Sequence, residues 1–255
     1  MLEWRDSLKW ELPDAKNRED QPPEPMDVHS GALTIGFARR FAAYKRACLF
    51  FDDFERAKRL LTDPARPVRL IIAGKAHPAD EEGKGVLQRL VEISRDPALR
   101  DHVFVVEGYD MRVSRHLLEG CDLWLNAPRR PLEACGTSGM KAVFNLTLNC
   151  STLDGWWLEG YDGCNGFAYG DGLTHTDRAL HDRRDAIALL DVLEQAVVPE
   201  FYTRNEHGVP QGWVARIKHA LKTLGWRYNA DRMVMDYALG AYIPASVTGT
   251  SHIVG

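Results

Sequence analysis

Five things are scarce or absent in this chain: long apolar runs, paired cysteines, metal-spaced histidines, excess basic charge and repeats. Each absence removes a class of function. No stretch approaches the roughly 20 apolar residues that cross a bilayer, so a membrane span is not expected. The five cysteines, Cys48, Cys121, Cys135, Cys150 and Cys164, include no C-x-x-C pair. Such an odd, scattered set reads as reduced thiols of a cytoplasmic protein rather than a disulfide frame. The charged opening Met1-Leu2-Glu3-Trp4-Arg5-Asp6 does not resemble a secretion signal. His77 and the other histidines show no ligand spacing, so no metal is expected. A net charge of −4 gives no reason to expect nucleic acid as a partner.

What is present is an alternation. Residues 1–30, with Pro13, Pro22, Pro23 and Pro25 among charges, read as a linker-like segment. From Gly31 onward, strand-like runs at 32–37, 68–73, 103–106 and 122–126 alternate with helical spacing at 41–61, 86–93 and 112–118. This order predicts an α/β fold, a Rossmann-like parallel sheet with flanking helices over 31–184. Ligands of such sheets bind beyond the carboxyl ends of the strands. The loops 37–44, 74–78, 107–110 and 126–136 all belong to that edge. Residues 185–255 read as a helical segment of the same lobe, with helices at 186–198, stopped by Pro199, at 213–224 and at 232–239.

The densest chemistry lies in Glu133-Ala134-Cys135-Gly136-Thr137-Ser138-Gly139-Met140-Lys141. Small residues at the opening of a helix let an anion approach backbone N–H groups, and the helix N-terminus favours its charge. A lysine one turn further in serves either as counter-charge or as a carbonyl-capturing amine. A second cluster, Arg39-Arg40 with Lys45-Arg46, suits an anion. It reads equally well as a solvated patch or as ion pairs to Asp52, Asp53 and Glu55. Gly74-Lys75 favours an ordinary turn over a phosphate loop. Trp156-Trp157 favours core packing over a sugar platform.

Together these motifs resemble the α-glucan phosphorylases of glycogen, starch and maltodextrin. The run 133–141 is similar to their pyridoxal-phosphate lysine motif, and Arg39-Arg40-x-x-x-Tyr44-Lys45-Arg46 to their phosphate motif. Gly74-Lys75-Ala76, Tyr109-Asp110-Met111, Asn126-Ala127-Pro128-Arg129-Arg130-Pro131, Leu153-Asp154-Gly155-Trp156-Trp157 and Arg232-Met233-Val234-Met235-Asp236-Tyr237 resemble the shorter bacterial and archaeal branch. The similarity extends over about residues 31–243.

The resemblance implies roles. Lys141 anchors pyridoxal 5'-phosphate, and Arg39, Gly136, Thr137 and Ser138 hold its phosphate. Arg40 and Lys45 hold the substrate phosphate. Tyr44, Glu133, Cys135 and Gly136 contact the glucosyl unit. Cys135 departs from the family's serine. The implied reaction is phosphorolysis of an α-1,4-glucan to glucose 1-phosphate with retention, the cofactor's phosphate passing the proton. Two unit charges about 5 Å apart repel by roughly 3 kcal/mol at an effective dielectric near 20, so the two phosphates need a cationic clamp.

The same resemblance implies one lobe of a two-domain cleft, the amino-terminal lobe coming from elsewhere, including a separate chain. The isolated chain is therefore expected to bind cofactor with little turnover, and its open cleft face favours self-association. Two competing readings are a nucleotide-sugar glycosyltransferase of the same architecture, which needs no cofactor-binding lysine, and a non-catalytic glucan- or partner-binding remnant.

Overall fold

A computed structural model describes residues 31–248, so the linker-like reading of 1–30 lies outside the described residues. Six parallel strands run β1 (Leu33–Ala38), β2 (Val68–Ala73), β3 (Val103–Val106), β4 (Leu123–Asn126), β5 (Leu148–Thr152) and β6 (Phe167–Tyr169). Their order across the sheet is β3-β2-β1-β4-β5-β6. The chain builds outward from β1 to β3, then crosses back to lay β4 on the other side of β1. β1 and β4 are paired neighbours, and beyond their carboxyl ends lies the switch point where the connecting loops diverge, the usual ligand crevice of such a sheet.

Both faces of the sheet are covered. Alternate residues of the strands feed two apolar clusters. Leu33, Ile35, Phe37, Leu70, Ile72, Leu123 and Leu125 enter the larger one. Ala38, Ala73 and Trp124 enter the smaller, beneath α3 (Met111–Gly120) and α4 (Thr137–Phe144). Gly36, registered opposite Trp124, makes room for the indole: a β-carbon there would sit 2.9 Å from the ring.

The helices start where the sequence supplies caps. Asp53 accepts from Arg56 N–H at the start of α1 (Phe54–Leu61). Asp80 does so from Gly83 at α2 (Glu81–Ser94), and Asp110 from Val113 at α3. Two helical readings need correction. Residues 41–61 are not one helix: two 3-10 turns, Ala43–Lys45 and Leu49–Phe51, precede α1, and Arg46 between them is left-handed (φ 48°). Pro199 is not a stop either. After α6 (Arg178–Val192) the helix widens to a π-turn at Leu193–Val197 and continues as α7 (Val198–Tyr202). The proline has no N–H to continue the ladder, and the wider π-turn before it, in which Val198 N–H bonds Leu193 O, accommodates it.

Tyr202 on α7 ties the carboxyl-terminal helices to the sheet, accepting from Leu33 N–H (3.2 Å) and donating to Pro67 O (2.6 Å). Trp213 on α8 (Gln211–Ala220) packs edge-on against Phe201. By contrast α9 (Ala230–Tyr237) buries no residue, and Met233, Val234, Met235 and Tyr237 are exposed. α10 (Ile243–Thr248) follows it. Trp156 and Trp157 are core residues: both are buried, and the indole of Trp157 donates to Phe167 O. They open α5 (Trp156–Gly160).

Candidate functional site

The carboxyl ends of β1 and β4 deliver the two halves of one polar cluster. Arg39 follows β1 directly, its N–H bonded to Ala73 O at the end of β2. Gly74 allows this crossing: a β-carbon there would lie 2.1 Å from Arg39 O. That supports a structural turn at 74–78 rather than a phosphate loop, and Lys75 is exposed. From the β4 side, the loop after Asn126 runs through Pro128 to Glu133.

Glu133 Oε2 accepts from Arg39 Nη2 at 2.8 Å and from Lys45 Nζ. The side chains of this triad are 6%, 9% and 11% exposed for Arg39, Lys45 and Glu133, so the charges are held largely out of water. Removing one partner from such a group leaves a desolvated charge unpaired. The triad, not pairing to Asp52, Asp53 or Glu55, is where Arg39 and Lys45 go. Arg46 pairs with Asp182 and Asp185 of α6 instead. Arg39 Nη1 is buried and has no partner among the described residues, a free donor beside the carboxylate. Lys45 Nζ also stands over the Tyr44 ring, 4.7 Å from its centroid.

Glu133 is held from behind. Its N–H donates to Asp154 Oδ2 (2.9 Å), and Gly155 N–H to Asp154 Oδ1 (3.0 Å). Gly155 is left-handed (φ 56°), and a β-carbon there would press to 2.4 Å on Cys135 O, which accepts from Trp156 N–H. Asp154 is the site residue that sequence reasoning undervalued. It sat inside a recognised motif, but nothing local shows that it grips a backbone N–H 21 residues away.

Cys135 and Gly136 line the same small pocket, with Arg39, Asn126, Glu133 and Trp156. Gly136 caps α4 in the left-handed region (φ 90°), and a β-carbon there would lie 3.9 Å from Arg39 Nη2. The amino-terminal end of α4 therefore opens beside the Arg39 guanidinium, so helix dipole and cation act on one spot. Burial, followed by the charges of Glu133 and Glu159, pushes the Cys135 thiol up from its ordinary value, so it stays protonated near neutral pH. Ser138 Oγ donates to Asn126 Oδ1 (3.3 Å), and Asn126 in turn to Asn149 Oδ1 (2.8 Å), which fastens the first turn of α4 to β4 and β5.

Not every expected residue joins this cluster. Thr137 and Arg40 are exposed, and Arg40 has no side-chain partner among the described residues. Lys141 lines a second cavity. That groove of about 510 Å³ lies between α3 and α4, walled by Tyr109, Asp110, Met111, Ser114, Arg115, Leu118, Glu119, Lys141 and Asn145. Its volume falls in the range of small-molecule sites. Tyr109 and Asp110 belong to a motif noted in sequence, yet their sharing of a wall with Lys141 follows only from the packing of α3 beside α4. Among the described residues there is no cluster of three or more His, Cys, Asp or Glu able to hold a metal. None of the described helices is long and apolar enough to cross a membrane.

A doubly wound parallel sheet, with a buried Arg–Glu–Lys cluster at its switch point and a lysine one turn into the adjoining helix, defines a Rossmann-like α/β lobe. The sequence profile of the carbohydrate phosphorylases matches residues 25–169, and the chain belongs to that family. It is 47% identical over 214 residues to a glycogen phosphorylase of Aquifex aeolicus, covering 84% of this chain and 30% of that protein. A glycogen phosphorylase of Mycobacterium tuberculosis H37Rv is 50% identical over 214 residues, covering 84% and 25%. A maltodextrin phosphorylase of Thermococcus litoralis is 45% identical over 215 residues, again covering 84% and 25%. The chain thus spans between a quarter and a third of the length of these relatives.

Proposed function

We propose that this chain is the cofactor- and phosphate-binding lobe of an α-glucan phosphorylase. In this reading residues 31–184 form the binding domain and 185–255 a helical segment of the same lobe. The single observation that carries the reading is the Arg39–Glu133–Lys45 triad with its spare buried donor, Arg39 Nη1, at the opening of α4.

The residues fit pyridoxal 5'-phosphate. Arg39 Nη1 has no partner among the described residues, Gly136 leaves the helix opening bare, and Lys141 lines a ligand-sized groove on the same helix. Arg39, Gly136, Thr137 and Ser138 would hold the phosphate, and Lys141 the carbonyl end. When bound, the cofactor supplies a phosphate monoester with a second pKa of about 6, able to exchange a proton near neutral pH.

The chain's own groups do the rest. Lys45 and exposed Arg40 hold orthophosphate, while Arg39 keeps the two anions from repelling each other apart. Glu133 is the internal counter-ion of this site. An arriving phosphate takes over the cations, and the released carboxylate is free to accept from a sugar hydroxyl. Tyr44, Cys135 and Gly136 complete the glucosyl contact, and the protonated Cys135 thiol adds no charge. The product is glucose 1-phosphate, with retained configuration. Turnover needs the second lobe of the cleft, whether from the same polypeptide or a separate one, and a cytoplasmic setting supplies both glucan and phosphate.

Borohydride reduction of the chain with added pyridoxal phosphate, followed by peptide mapping, tests the cofactor assignment. The expected result is label on Lys141 alone. A folded sample without label would favour the nucleotide-sugar glycosyltransferase reading. Release of glucose 1-phosphate from maltodextrin and phosphate tests the second part. Little turnover is expected from the isolated chain, and robust turnover by it alone would overturn the need for another lobe.

A further inference from the structure

Arg46 stands next to Lys45 and is buried, its side chain 3% exposed. Its backbone is left-handed (φ 48°), a conformation that a non-glycine residue adopts only when its surroundings hold it there. The guanidinium makes four contacts. Nε donates to Ala127 O (2.9 Å) and Nη2 to Pro128 O (2.8 Å); Nη1 meets Asp182 Oδ1 (3.0 Å) and Nη2 meets Asp185 Oδ2 (2.7 Å). The carbonyls belong to the loop that leads from β4 to Glu133, and the carboxylates to α6. Arg129 of that loop returns the link, its N–H bonded to Tyr44 O (2.7 Å) and its Nε to Asp182 Oδ1 (3.0 Å).

The turn that carries Lys45 and the loop that carries Glu133 are therefore stitched together behind the triad. Only a planar fork reaches two carbonyls and two carboxylates at once; a lysine amine does not. Pro128 lines the pocket beside Glu133, but Arg46, Asp182 and Asp185 do not reach it.

We propose that Arg46 is a positioning residue, fixing the separation of Lys45 from Glu133 and so the strength with which the site takes a phosphate. The phosphate half of this inference rests on the proposed function; the positioning half does not. Were Arg46 merely structural, its loss would weaken the whole fold evenly and act on phosphate binding independently of Lys45.

The experiment has two arms on the full chain: wild type, Arg46→Lys, Lys45→Met and the double variant. Orthophosphate affinity is measured by calorimetry. Each single variant is expected to bind at least tenfold more weakly, and the double no more weakly than the worse single, because Arg46 acts through Lys45. Losses that multiply in the double variant overturn the proposal. The second arm is amide hydrogen exchange. Arg46→Lys is expected to speed exchange at Arg129, Leu132 and Glu133, leaving the strands protected. Unchanged exchange in this loop, or equal acceleration across the sheet, overturns the proposal. If wild type takes up no orthophosphate, the phosphate reading of the pocket falls, and the exchange arm still decides the role of Arg46. Should Arg46→Lys fail to fold, Asp185→Asn keeps the guanidinium, removes one of its carboxylates, and is expected to give the same pattern with about a threefold affinity loss.

Discussion

The two cavities beside α4 are built on opposite plans. On one side, Arg39, Lys45 and Glu133 are already locked together, with Asp154 behind and Arg46 bracing the loop. On the other, Lys141 is exposed in an open groove whose rim includes the largely solvent-exposed Met111. The difference fits the proposed ligands, the triad serving orthophosphate and the cofactor's phosphate end, and the groove the cofactor's carbonyl end. A small polyanion needs fixed charge, and clustered cations need an internal carboxylate to be stable before it arrives. A flat organic ligand needs space and one reactive group, and its own surface completes the packing.

The sharpest way to break this contrast is Lys141→Ala. Reductive labelling with pyridoxal phosphate is expected to disappear entirely, with orthophosphate affinity within about twofold of wild type, since Lys141 lies outside the triad. A parallel loss of phosphate binding would show the two cavities to be one site. Lys45→Met should do the reverse. Phosphate affinity is expected to fall roughly 10- to 100-fold, the worth of a charge-assisted contact, while labelling at saturating cofactor persists. Calorimetry and peptide mapping read the pair.

Glu133→Gln probes the internal counter-ion. Unfolding free energy without phosphate is expected to drop by roughly 3 kcal/mol, because two buried cations lose their shared carboxylate. Added phosphate should restore much of it and bind more tightly than to wild type. Denaturant titrations with and without phosphate decide; equal losses in both would remove Glu133 from the anion's path. Gly155→Ala should destabilise by roughly 2 kcal/mol through its left-handed backbone and its contact with Cys135 O, read as a lowered melting temperature.

The smallest effect is expected in acid. Burial pushes the Asp182 carboxyl up, but hydrogen bonds from Arg129 and Arg46 outweigh it and hold the group below its usual range. Its folded value is depressed, so its contribution to stability is full above the unfolded value of about 4 and is lost as pH falls through the lower folded value. Asp182→Asn should therefore flatten the acid limb of a stability–pH curve, and an unchanged slope would mean that the Arg46–Arg129 brace does not act through this carboxylate.

Much of the sheet was legible because it rests on local pattern. β2 and β3 fall where their apolar runs lie, at 68–73, interrupted by Arg69, and at 103–106. β5 was not separated from its surroundings, because Asn149, Ser151 and Thr152 are polar residues that are buried here, Asn149 and Thr152 with side-chain hydrogen bonds. The helix expected over 41–61 failed at Arg46. Its left-handed turn is imposed by carbonyls and carboxylates more than 80 residues away, and no local propensity encodes that. Pro199 misled for the converse reason: a π-turn and packing against Trp213 carry the helix past a residue that usually ends one.

The sequence by itself determined the alternation of strand and helix, the small-residue opening of α4 and the identity of the charged groups, since these depend on neighbours a few positions apart. Tertiary structure alone decided the pairing of those charges. Whether Arg39 and Lys45 meet Asp52 or Glu133, and whether Lys141 joins them or faces another cavity, depends on which strand ends the crossover at β1 and β4 brings together. Buried charges then find the partner that the fold places within reach, not the one nearest along the chain.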